Sequence, residues 1–466
     1  MNSRKILAYA VGPVGSALLG LVTLPIITWF YNIEDVGRIS MLQVTVSFST
    51  LLFCLGLDQA FVREYHEEDN KALLFKNVIV LPVLIILIAG FSLFFYDSSL
   101  ISQFLYSNPD YNLSLFTLLC CFFALISRFI SLILRMEERA LAYSMSQLLP
   151  KFLFLLFVVI GTFFLNDKGF DDLILAYVVS FFSVAFIYMF NSRFVLGKAA
   201  LEKIDINRQK YLLVFGLPLI IGGLASWGLR VMDRMFLRAF SNFAELGLYS
   251  VTMSLAGAAT IFGSIFTTIW APMIYKWIKE KEDLSKIDHI TDNMLAIIYF
   301  VFGFSGLFSW VIPVFLPQAY ENIEQLFVIC LSGPLFYVLS ECCSMGISVS
   351  RKTYVAMFIS VFSMIVNFIG NYLLVSKFGA TGAAVSTCIA FFIFFVLRTE
   401  LSARLWRGFP RRKLYFISTT LLIFCLVYVF FPSFGVKLSL LLLFFGVYFF
   451  KANIKALCFY IKYKQV

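Results

Sequence analysis

Long apolar segments recur along the whole chain of 466 residues, and they restrict it to one kind of environment. About fourteen of them are long enough to cross a bilayer as a helix, which takes roughly 20 predominantly apolar residues. Hydrophobic residues make up 61% of the sequence and charged residues 14%, whereas soluble domains have about 45–50% and 25%. The sequence therefore predicts an all-α polytopic membrane protein with about fourteen transmembrane helices. The predicted spans are 6–30, 39–62, 78–97, 113–135, 144–165, 173–195, 211–238, 246–270, 293–316, 325–349, 354–376, 380–403, 413–432 and 437–459.

The charges between these spans predict the orientation of the chain. Lys and Arg are enriched in cytoplasmic loops. If the N-terminus is cytoplasmic, about 27 of the 37 Lys and Arg residues lie in inner segments and about five in outer loops. The bias keeps its sign at every pair of loops, so both termini are expected in the cytoplasm. The net charge of +10 is then explained by orientation, and no nucleic acid partner is expected.

An internal repeat divides the chain. Residues 30–40 (FYNIEDVGRIS) align without a gap on residues 240–250 (FSNFAELGLYS), and they share Phe, Asn, an acid, Gly and Ser. Each repeat holds six spans, so we expect two pseudo-symmetric six-helix lobes of the same orientation, with the substrate path between them. The predicted domains are residues 1–200 (N-lobe), 201–405 (C-lobe) and 406–466 (two further spans and a cytoplasmic tail).

Three arginines, Arg128, Arg230 and Arg234, lie deep inside predicted spans and form one group of candidates. A charge at membrane depth normally faces a bundle interior or a water-filled cavity. Guanidinium groups match phosphate oxygens bidentately, so these three predict a cationic cavity for an anionic, phosphorylated cargo. The alternative is a self-neutralised ion pair with Asp233, with Arg234 and Arg238 reaching the headgroups.

The acids inside or near the spans are candidates for coupling and gating. Glu341 lies at nearly the depth of Arg128, and it could pair with Arg128 when the lobes close or carry a proton. Alternatively, Glu341 bonds to its neighbour Ser340 or Ser344 and only stabilises packing. Asp58 is expected to pair with Arg63 at the inner membrane boundary. Coupling to H⁺ or Na⁺ through Asp58, Asp233 or Glu341 stays open.

Two further cations lie within spans. Lys151 follows Pro150 near the start of the fifth span and is expected to snorkel toward the inner interface. The alternative is a role in the cavity, in coupling or gating. Arg398 is expected to snorkel in the same way.

The first and seventh spans are rich in Gly and Pro. Such interruptions at matching positions of two repeats indicate a helix that lines a cavity and moves, although Gly and Pro are common in membrane helices generally. The predicted hinge residues are Gly12, Pro13, Pro25, Gly216 and Pro218.

Motifs for catalysis or cofactor binding are missing from the sequence. It contains no GxxxxGK[ST], GxSxG or HExxH. The nine cysteines lie almost entirely in apolar spans without a CxxC spacing, so we interpret them as small hydrophobic residues. The two histidines have no partner at ligand spacing. We therefore predict a protein that is not an enzyme and holds neither a cofactor nor a metal.

Two sequence stretches carry a resemblance to a known family. GLDQAFVREYHEE (Gly56–Glu68), which follows a helix opening with EDVGRISML (Glu34–Leu42), resembles the Wzx-type O-antigen repeat-unit flippases. NFIGNYLLVSKFGATGAAVST (Asn367–Thr387) is similar to the late helix pair of polysaccharide transporters of the same superfamily, which also contains lipid II flippases and multidrug exporters.

The resemblance implies a two-lobe fold and a function. Such a protein moves an undecaprenyl-pyrophosphate-linked oligosaccharide, used for O-antigen and lipopolysaccharide biosynthesis, from the inner to the outer leaflet of the bacterial inner membrane. The resemblance also implies contact with polysaccharide polymerase or assembly machinery. The family's central cavity is cationic, which fits Arg128 and Arg230. This chain departs from its relatives in the first span, which has no charge between Lys5 and Glu34.

Two other functions remain open. A drug or cation exporter of the same fold would favour a cavity dominated by acids, which this sequence lacks. A membrane glycosyltransferase or O-antigen polymerase could use Glu34 and Asp35 in an early outer loop. However, Glu245 recurs at the repeat position, which indicates a role at a helix start.

Overall fold

The computed structural model describes residues 3–164 and 168–455, with side chains for residues 11–163 and 168–455. Within these residues every regular element is helical. Cys458, the end of the fourteenth predicted span and part of the connection between the fifth and sixth predicted spans lie outside them. The α-helices are α1 (Ser3–Phe30), α2 (Ile33–Phe53), α3 (Leu57–Glu64), α4 (Lys71–Tyr96), α5 (Leu100–Tyr106), α6 (Tyr111–Met136), α7 (Ala140–Phe164), α8 (Phe170–Asn191), α9 (Arg193–Leu201), α10 (Ile206–Phe240), α11 (Phe243–Ala256), α12 (Ala258–Glu280), α13 (Ser285–Phe308), α14 (Ile323–Cys330), α15 (Ser332–Cys343), α16 (Met345–Val349), α17 (Thr353–Leu405), α18 (Arg412–Phe430) and α19 (Gly435–Phe449).

Thirteen helical segments of the described chain are long and apolar enough to cross a membrane, and one of them is a hairpin. Within α17, Gly379 has φ 51° and ψ −129°, which glycine tolerates best. The Ser386 hydroxyl donates to the backbone oxygen of Asn367 at 2.9 Å. Those residues would be about 28 Å apart in a straight helix. Counting α17 as two spans gives fourteen, as predicted.

The first connection between spans is shorter than predicted. The predicted spans leave residues 31–38 between them, but α2 begins at Ile33, with Asn32 as its N-cap. Glu34 and Asp35 lie in the first turn, where carboxylates interact favourably with the helix dipole. The Arg38 guanidinium donates to Asp35 at 2.7 Å and to Glu34 at 3.2 Å. This charged stretch is therefore helical because its charges suit a helix start.

The chain packs into two compact units, Met1–Ser250 and Val251–Val466. In the first unit, α1 packs on α7, α6 on α8, and α10 on α2 and α3. In the second unit, α15 packs on α17 and α13 on α19. The seventh span, α10, thus packs with the first six. The predicted boundaries at residues 200 and 405 follow the repeat rather than the packing, and they stay a prediction.

The repeat is visible in the helix boundaries. Helices α1 and α10 end at Phe30 and Phe240, and α2 and α11 begin at Ile33 and Phe243, which is an offset of 210 residues both times. The Asn242 side chain accepts a hydrogen bond from the Glu245 amide at 2.8 Å, so the repeated asparagine also caps a helix.

The two repeated helix starts contact each other inside the first unit. A Cβ added at Gly37 would lie 2.2 Å from the carbonyl oxygen of Phe243, and one added at Gly247 would lie 2.1 Å from that of Ile33. The hydroxyls of Ser40 and Ser250 are 2.6 Å apart. Matching positions contact matching positions, as across a two-fold axis. Small residues permit this close approach of two backbones.

We expect Gly37→Ala and Gly247→Ala each to lower the free energy of unfolding by about 1–3 kcal/mol, because the added methyl group would overpack a backbone–backbone contact. Thermal unfolding of the purified protein in detergent measures the effect. Gly197→Ala is the matched control, since a Cβ there meets open space within α9, and it should be neutral or slightly stabilising. Equal melting temperatures for all three variants would contradict the contact.

Candidate functional site

Arg128 on α6 forms an ion pair with Asp58 on α3. Its Nη2 donates to the Asp58 carboxylate at 2.7 Å, and the Arg128 side chain remains 40% exposed. The Gln59 side chain donates to the same carboxylate oxygen at 2.9 Å. The expected Asp58–Arg63 pair is wrong: the Arg63 guanidinium lies over the Phe215 ring, 4.3 Å from its centroid. Because α3 packs on α6, Asp58 pairs with Arg128 and not with Arg63, although Arg63 is much nearer in sequence.

The charged residues of α10 are in different environments. Arg230 is exposed, and its Nε donates to the carbonyl oxygen of Ser226 at 3.0 Å. Arg234 is half-buried. In the described part of the chain neither arginine has an ion-pair partner within 4 Å. Asp233 is buried and accepts a hydrogen bond of 2.6 Å from the Tyr249 hydroxyl on α11.

Helix α2 separates the arginine of α6 from those of α10. Both α6 and α10 pack on α2, and the Trp227 indole of α10 donates to the Ser47 hydroxyl of α2 at 3.0 Å. Among the described residues, no hydrogen bond or ion pair joins Arg128 to Arg230 or Arg234. The three arginines therefore lie in one unit on helices that share a neighbour, and their role as one cationic cavity stays a prediction.

Glu341 on α15 pairs with Arg398 on α17. The Arg398 Nη1 donates to the Glu341 carboxylate at 2.5 Å and to the Ser340 hydroxyl at 3.0 Å. The two side chains are 20% and 15% exposed. The Arg398 guanidinium also lies 5.1 Å from the centroid of the Phe394 ring. The expectation that Arg398 snorkels is wrong, since its charge is neutralised inside the second unit. The Ser344 hydroxyl reaches only the backbone oxygen of Glu341, at 3.4 Å.

Lys151 on α7 binds the backbone of α1. Its Nζ donates to the carbonyl oxygen of Ser16 at 3.0 Å, and the Ser16 hydroxyl donates to the carbonyl oxygen of Gln147 at 2.7 Å. Lys151 thus links α7 to α1, and its predicted snorkelling, or its alternative role in the cavity, coupling or gating, stays a prediction.

The predicted hinge helices are not interrupted. Helix α1 continues through Pro13 and Pro25, and α10 through Pro218. Two of the glycines serve as contact points. A Cβ added at Gly12 would lie 2.9 Å from the Ser144 Cα, and one added at Gly56 would lie 2.1 Å from the carbonyl oxygen of Gly216. Bending at Gly12, Pro13, Pro25, Gly216 and Pro218 stays a prediction about motion.

Sequence reasoning missed the role of Arg238. Its guanidinium caps the C-terminal end of α5, donating to the carbonyl oxygens of Leu105 at 2.9 Å and Phe104 at 3.0 Å. It also lies over the Phe243 ring, 5.1 Å from the centroid, and Arg38 lies over the same ring at 5.0 Å. No local pattern pointed to this cap, because α5 and Arg238 are more than 130 residues apart.

Sequence reasoning also missed the network around Arg208. The Arg208 guanidinium donates to Glu64 at 2.9 Å and to Glu68 at 2.8 Å. The i, i+4 spacing of these two acids was the available signal.

Together, the fold and these charges define a multi-pass helical membrane protein that holds ionised groups within its spans. A family model described as "Polysaccharide biosynthesis protein" matches residues 3–277, which is more than half of the chain, and the chain belongs to this family. Membership confirms the resemblance carried by the sequence motifs.

Two kinds of relative are similar to the chain. The probable low-salt glycan biosynthesis flippase Agl15 of Haloferax volcanii is 22% identical over 249 residues, which cover 52% of this chain and 51% of that protein. The chain thus matches about half the length of this curated relative. The structure of the lipid II flippase MurJ in an inward closed conformation has a TM-score of 0.71 at 17% identity, covering 96% of this chain and 100% of that chain.

A multidrug resistance transporter of the MATE family, in an inward-facing conformation, is similar as well. Its TM-score is 0.58 at 14% identity, with 84% of this chain and 95% of that chain covered. At such identities the likeness to solved structures establishes the fold and leaves the cargo undetermined.

We expect Arg398→Gln or Glu341→Gln to lower the free energy of unfolding by about 3 kcal/mol, because each leaves a charge without its partner in a poorly hydrated site. The double variant should lose less than the sum of the two single losses. Chemical unfolding in detergent measures this cycle. Lys276→Gln is the control, since its pair with Glu280 spans 3.9 Å and is exposed and should contribute about 0–1 kcal/mol. If the losses in free energy of unfolding for the two single variants add up to the loss for the double variant, Glu341 and Arg398 do not stabilise the protein as a pair.

Proposed function

We propose that this protein is a flippase that moves an undecaprenyl-pyrophosphate-linked oligosaccharide, such as an O-antigen or related polysaccharide repeat unit, from the inner to the outer leaflet of the bacterial inner membrane. Membership of the polysaccharide biosynthesis family supports the glycan cargo. The observation that carries the proposal is a pair of guanidinium groups on one spanning helix, Arg230 and Arg234, without an ion-pair partner among the described residues.

The chemistry of the cargo explains why such arginines are useful. A bare pyrophosphate is too costly to take through hydrocarbon, so its water must be replaced by donors. Arg230 is exposed and forms no salt bridge within the described chain. Arg234, one turn further along α10, adds a second cation. We propose that these two bind the pyrophosphate while the polyprenyl tail stays in lipid.

Arg128 differs from the α10 arginines because its charge is already balanced. Asp58 accepts from one Nη group at 2.7 Å, which restrains the position of the guanidinium group, and the side chain is 40% exposed. A pre-oriented guanidinium loses less entropy when it binds a ligand. We propose that Arg128 recognises the same anion as an oriented donor, with less net attraction than Arg230.

The proposal includes alternating access. The contact of α2 with α11 through Gly37, Gly247, Ser40 and Ser250 is tight enough to exclude a cargo between these helix starts. In the proposed topology, with both termini cytoplasmic, this contact lies at the outer end. We propose that it separates when the cargo leaves outward, while α1 and α10 bend at their glycines and prolines.

Coupling to H⁺ or Na⁺ belongs to the same proposal. Asp58 and Glu341 are each held by an arginine, and Asp233 by a tyrosine hydroxyl. A cation that binds one of these carboxylates would release its present partner. Each pair is therefore a place where ion binding could change the packing of neighbouring helices. Contact with polysaccharide polymerase or assembly machinery is a further part of the proposal.

We expect Arg230→Ala and Arg234→Ala each to reduce transport at least tenfold, since each removes an unpaired guanidinium from the proposed pyrophosphate site. Proteoliposomes with a fluorescent undecaprenyl-pyrophosphate oligosaccharide measure the transfer between leaflets, and complementation of a flippase-null strain measures it in cells. Arg230→Lys should retain part of the activity because the charge remains. Arg128→Ala should also lose activity.

Arg412→Ala is the matched control, because Arg412 is exposed at the start of α18. Full activity in the Arg128, Arg230 and Arg234 variants at wild-type expression would overturn the proposed site. Export of a cationic dye in place of the glycan lipid would indicate a drug exporter instead.

We expect a Ser40→Cys/Ser250→Cys variant to lose transport when oxidised and to regain it on reduction. The two hydroxyls are 2.6 Å apart, so the thiols would be close enough to form a disulfide across the contact of α2 and α11. Each single cysteine variant, treated with the same oxidant, is the control. Undiminished transport in the fully crosslinked protein would show that this contact need not open.

A further inference from the structure

The connection between α8 and α10 is attached to the first unit along one side. Ala199 of α9 is buried. The Lys76 ammonium of α4 donates to the carbonyl oxygen of Ala200 at 2.9 Å, and the Asn70 side chain donates to the Glu202 carboxylate at 2.8 Å. The Asn77 side chain accepts from the Asp205 amide at 3.0 Å. This connection, residues 192–205, is thus a fixed strap and not a free tether.

The other side of the strap exposes large apolar side chains. Phe194 is 74% exposed and Leu201 is 87% exposed. Phe190, at the end of α8, and Ile206, at the start of α10, are exposed as well. Both ends of the strap join candidate membrane spans, Phe170–Asn191 and Ile206–Phe240. The apolar side chains therefore lie where the chain leaves and re-enters the bilayer.

The charges of the strap are unbalanced. Its two acids are used within the protein, since Glu202 is bound by Asn70 and Asp205 accepts from the Asn207 and Arg208 amides at 2.9 and 3.1 Å. Three cations, Arg193, Lys198 and Lys203, are exposed. Within the described residues none of the three has an ion-pair partner, and Lys210, at the next turn of α10, has none either.

The strap thus combines unpaired cations with exposed aromatic and aliphatic side chains. The Arg193 guanidinium lies over the Phe190 ring at 4.5 Å from the centroid and over the Phe194 ring at 5.1 Å. An arginine stacked on two exposed rings places its charge at the level of the apolar surface rather than away from it. This combination is typical of segments that lie in the membrane interface and attract anionic headgroups.

We propose that residues 190–206 form a binding surface for anionic phospholipids of the adjoining leaflet, with Phe194 and Leu201 inserted at the acyl boundary and Arg193, Lys198 and Lys203 contacting phosphate groups. Through Asp205 and Arg208, which bind Asn77, Glu64 and Glu68, this surface is continuous with the start of α10. The lipid composition of that leaflet therefore acts directly on the helix that carries Arg230.

Nitroxide labels on the full-length protein in nanodiscs test the proposal. Phe194→Cys and Leu201→Cys are labelled separately in a Cys458→Ser background, because the other eight cysteines are buried. Collision with oxygen reports acyl depth, and collision with a water-soluble nickel chelate reports exposure to water. In discs containing phosphatidylglycerol, we expect oxygen accessibility to exceed nickel accessibility at both positions. In phosphatidylcholine discs, we expect a lower ratio of oxygen accessibility to nickel accessibility at both positions.

A charge-neutral variant separates the anionic contribution from the apolar one. With Arg193→Gln/Lys198→Gln/Lys203→Gln, the ratio of oxygen to nickel accessibility in phosphatidylglycerol discs should fall to the value found in phosphatidylcholine discs. The matched control is Lys276→Gln/Lys279→Gln/Lys281→Gln, which removes the same charge from the connection around α12, where Glu280 pairs with Lys276. This control should retain the wild-type difference between the two lipids.

Three results would overturn the proposal. Higher nickel than oxygen accessibility at both labels in phosphatidylglycerol discs would place the strap in water. Equal acyl depth in both lipids, unchanged by the three Gln substitutions, would leave an apolar anchor without a preference for anionic headgroups. Protection from both reagents would mean that protein, not lipid, covers this face.

Discussion

The cost of an ionised group inside a membrane governs this structure. Asp58 is bound by Arg128, and Glu341 is bound by Arg398. Asp233, the most buried of the three acids discussed, accepts a short hydrogen bond from Tyr249. Two arginines of α10 depart from this rule, since Arg230 and Arg234 have no ion-pair partner in the described chain. Charges at membrane depth normally face a bundle interior or a water-filled cavity, and this is the basis on which we propose a binding site at these two residues.

Close backbone contact is the second constraint, and it depends on residues without bulky side chains. Gly37 and Gly247 let two helix starts meet, Gly56 and Gly216 do the same for α3 and α10, and Gly12 brings α1 onto α7. Lipid gives no hydrophobic drive for helices to associate, so close packing and interhelical hydrogen bonds must supply the attraction. The Ser40–Ser250 bond adds a polar contact at the same place.

The sequence predicted the fold better than it predicted the contacts. Apolar runs are local and directly indicate spanning helices, so the sequence predicted the number of spans and the repeat, including the matching helix ends at Phe30 and Phe240. It did not predict the partners of the charged residues. Asp58 has Arg63 nearby in sequence, yet its partner is 70 residues away, because the pairing depends on how α3 packs on α6. Glycines were also ambiguous, since a sequence shows where a side chain is small but not which backbone lies against it.

The Glu341–Arg398 ion pair shows how far the repeated halves have diverged. With the offset of 210 residues, Glu341 corresponds to Ser131 and Arg398 to Tyr188, whose hydroxyl donates to the carbonyl oxygen of Ser146 at 2.5 Å. The second half thus has a carboxylate–guanidinium pair where the first has a neutral phenol–carbonyl bond. If the two halves began as identical copies, one of them has since gained or lost both charges, and in compensating steps, since either charge alone would be costly at that depth. An ancestral protein assembled from two equal copies would therefore have lacked the electrical asymmetry that this single chain now has.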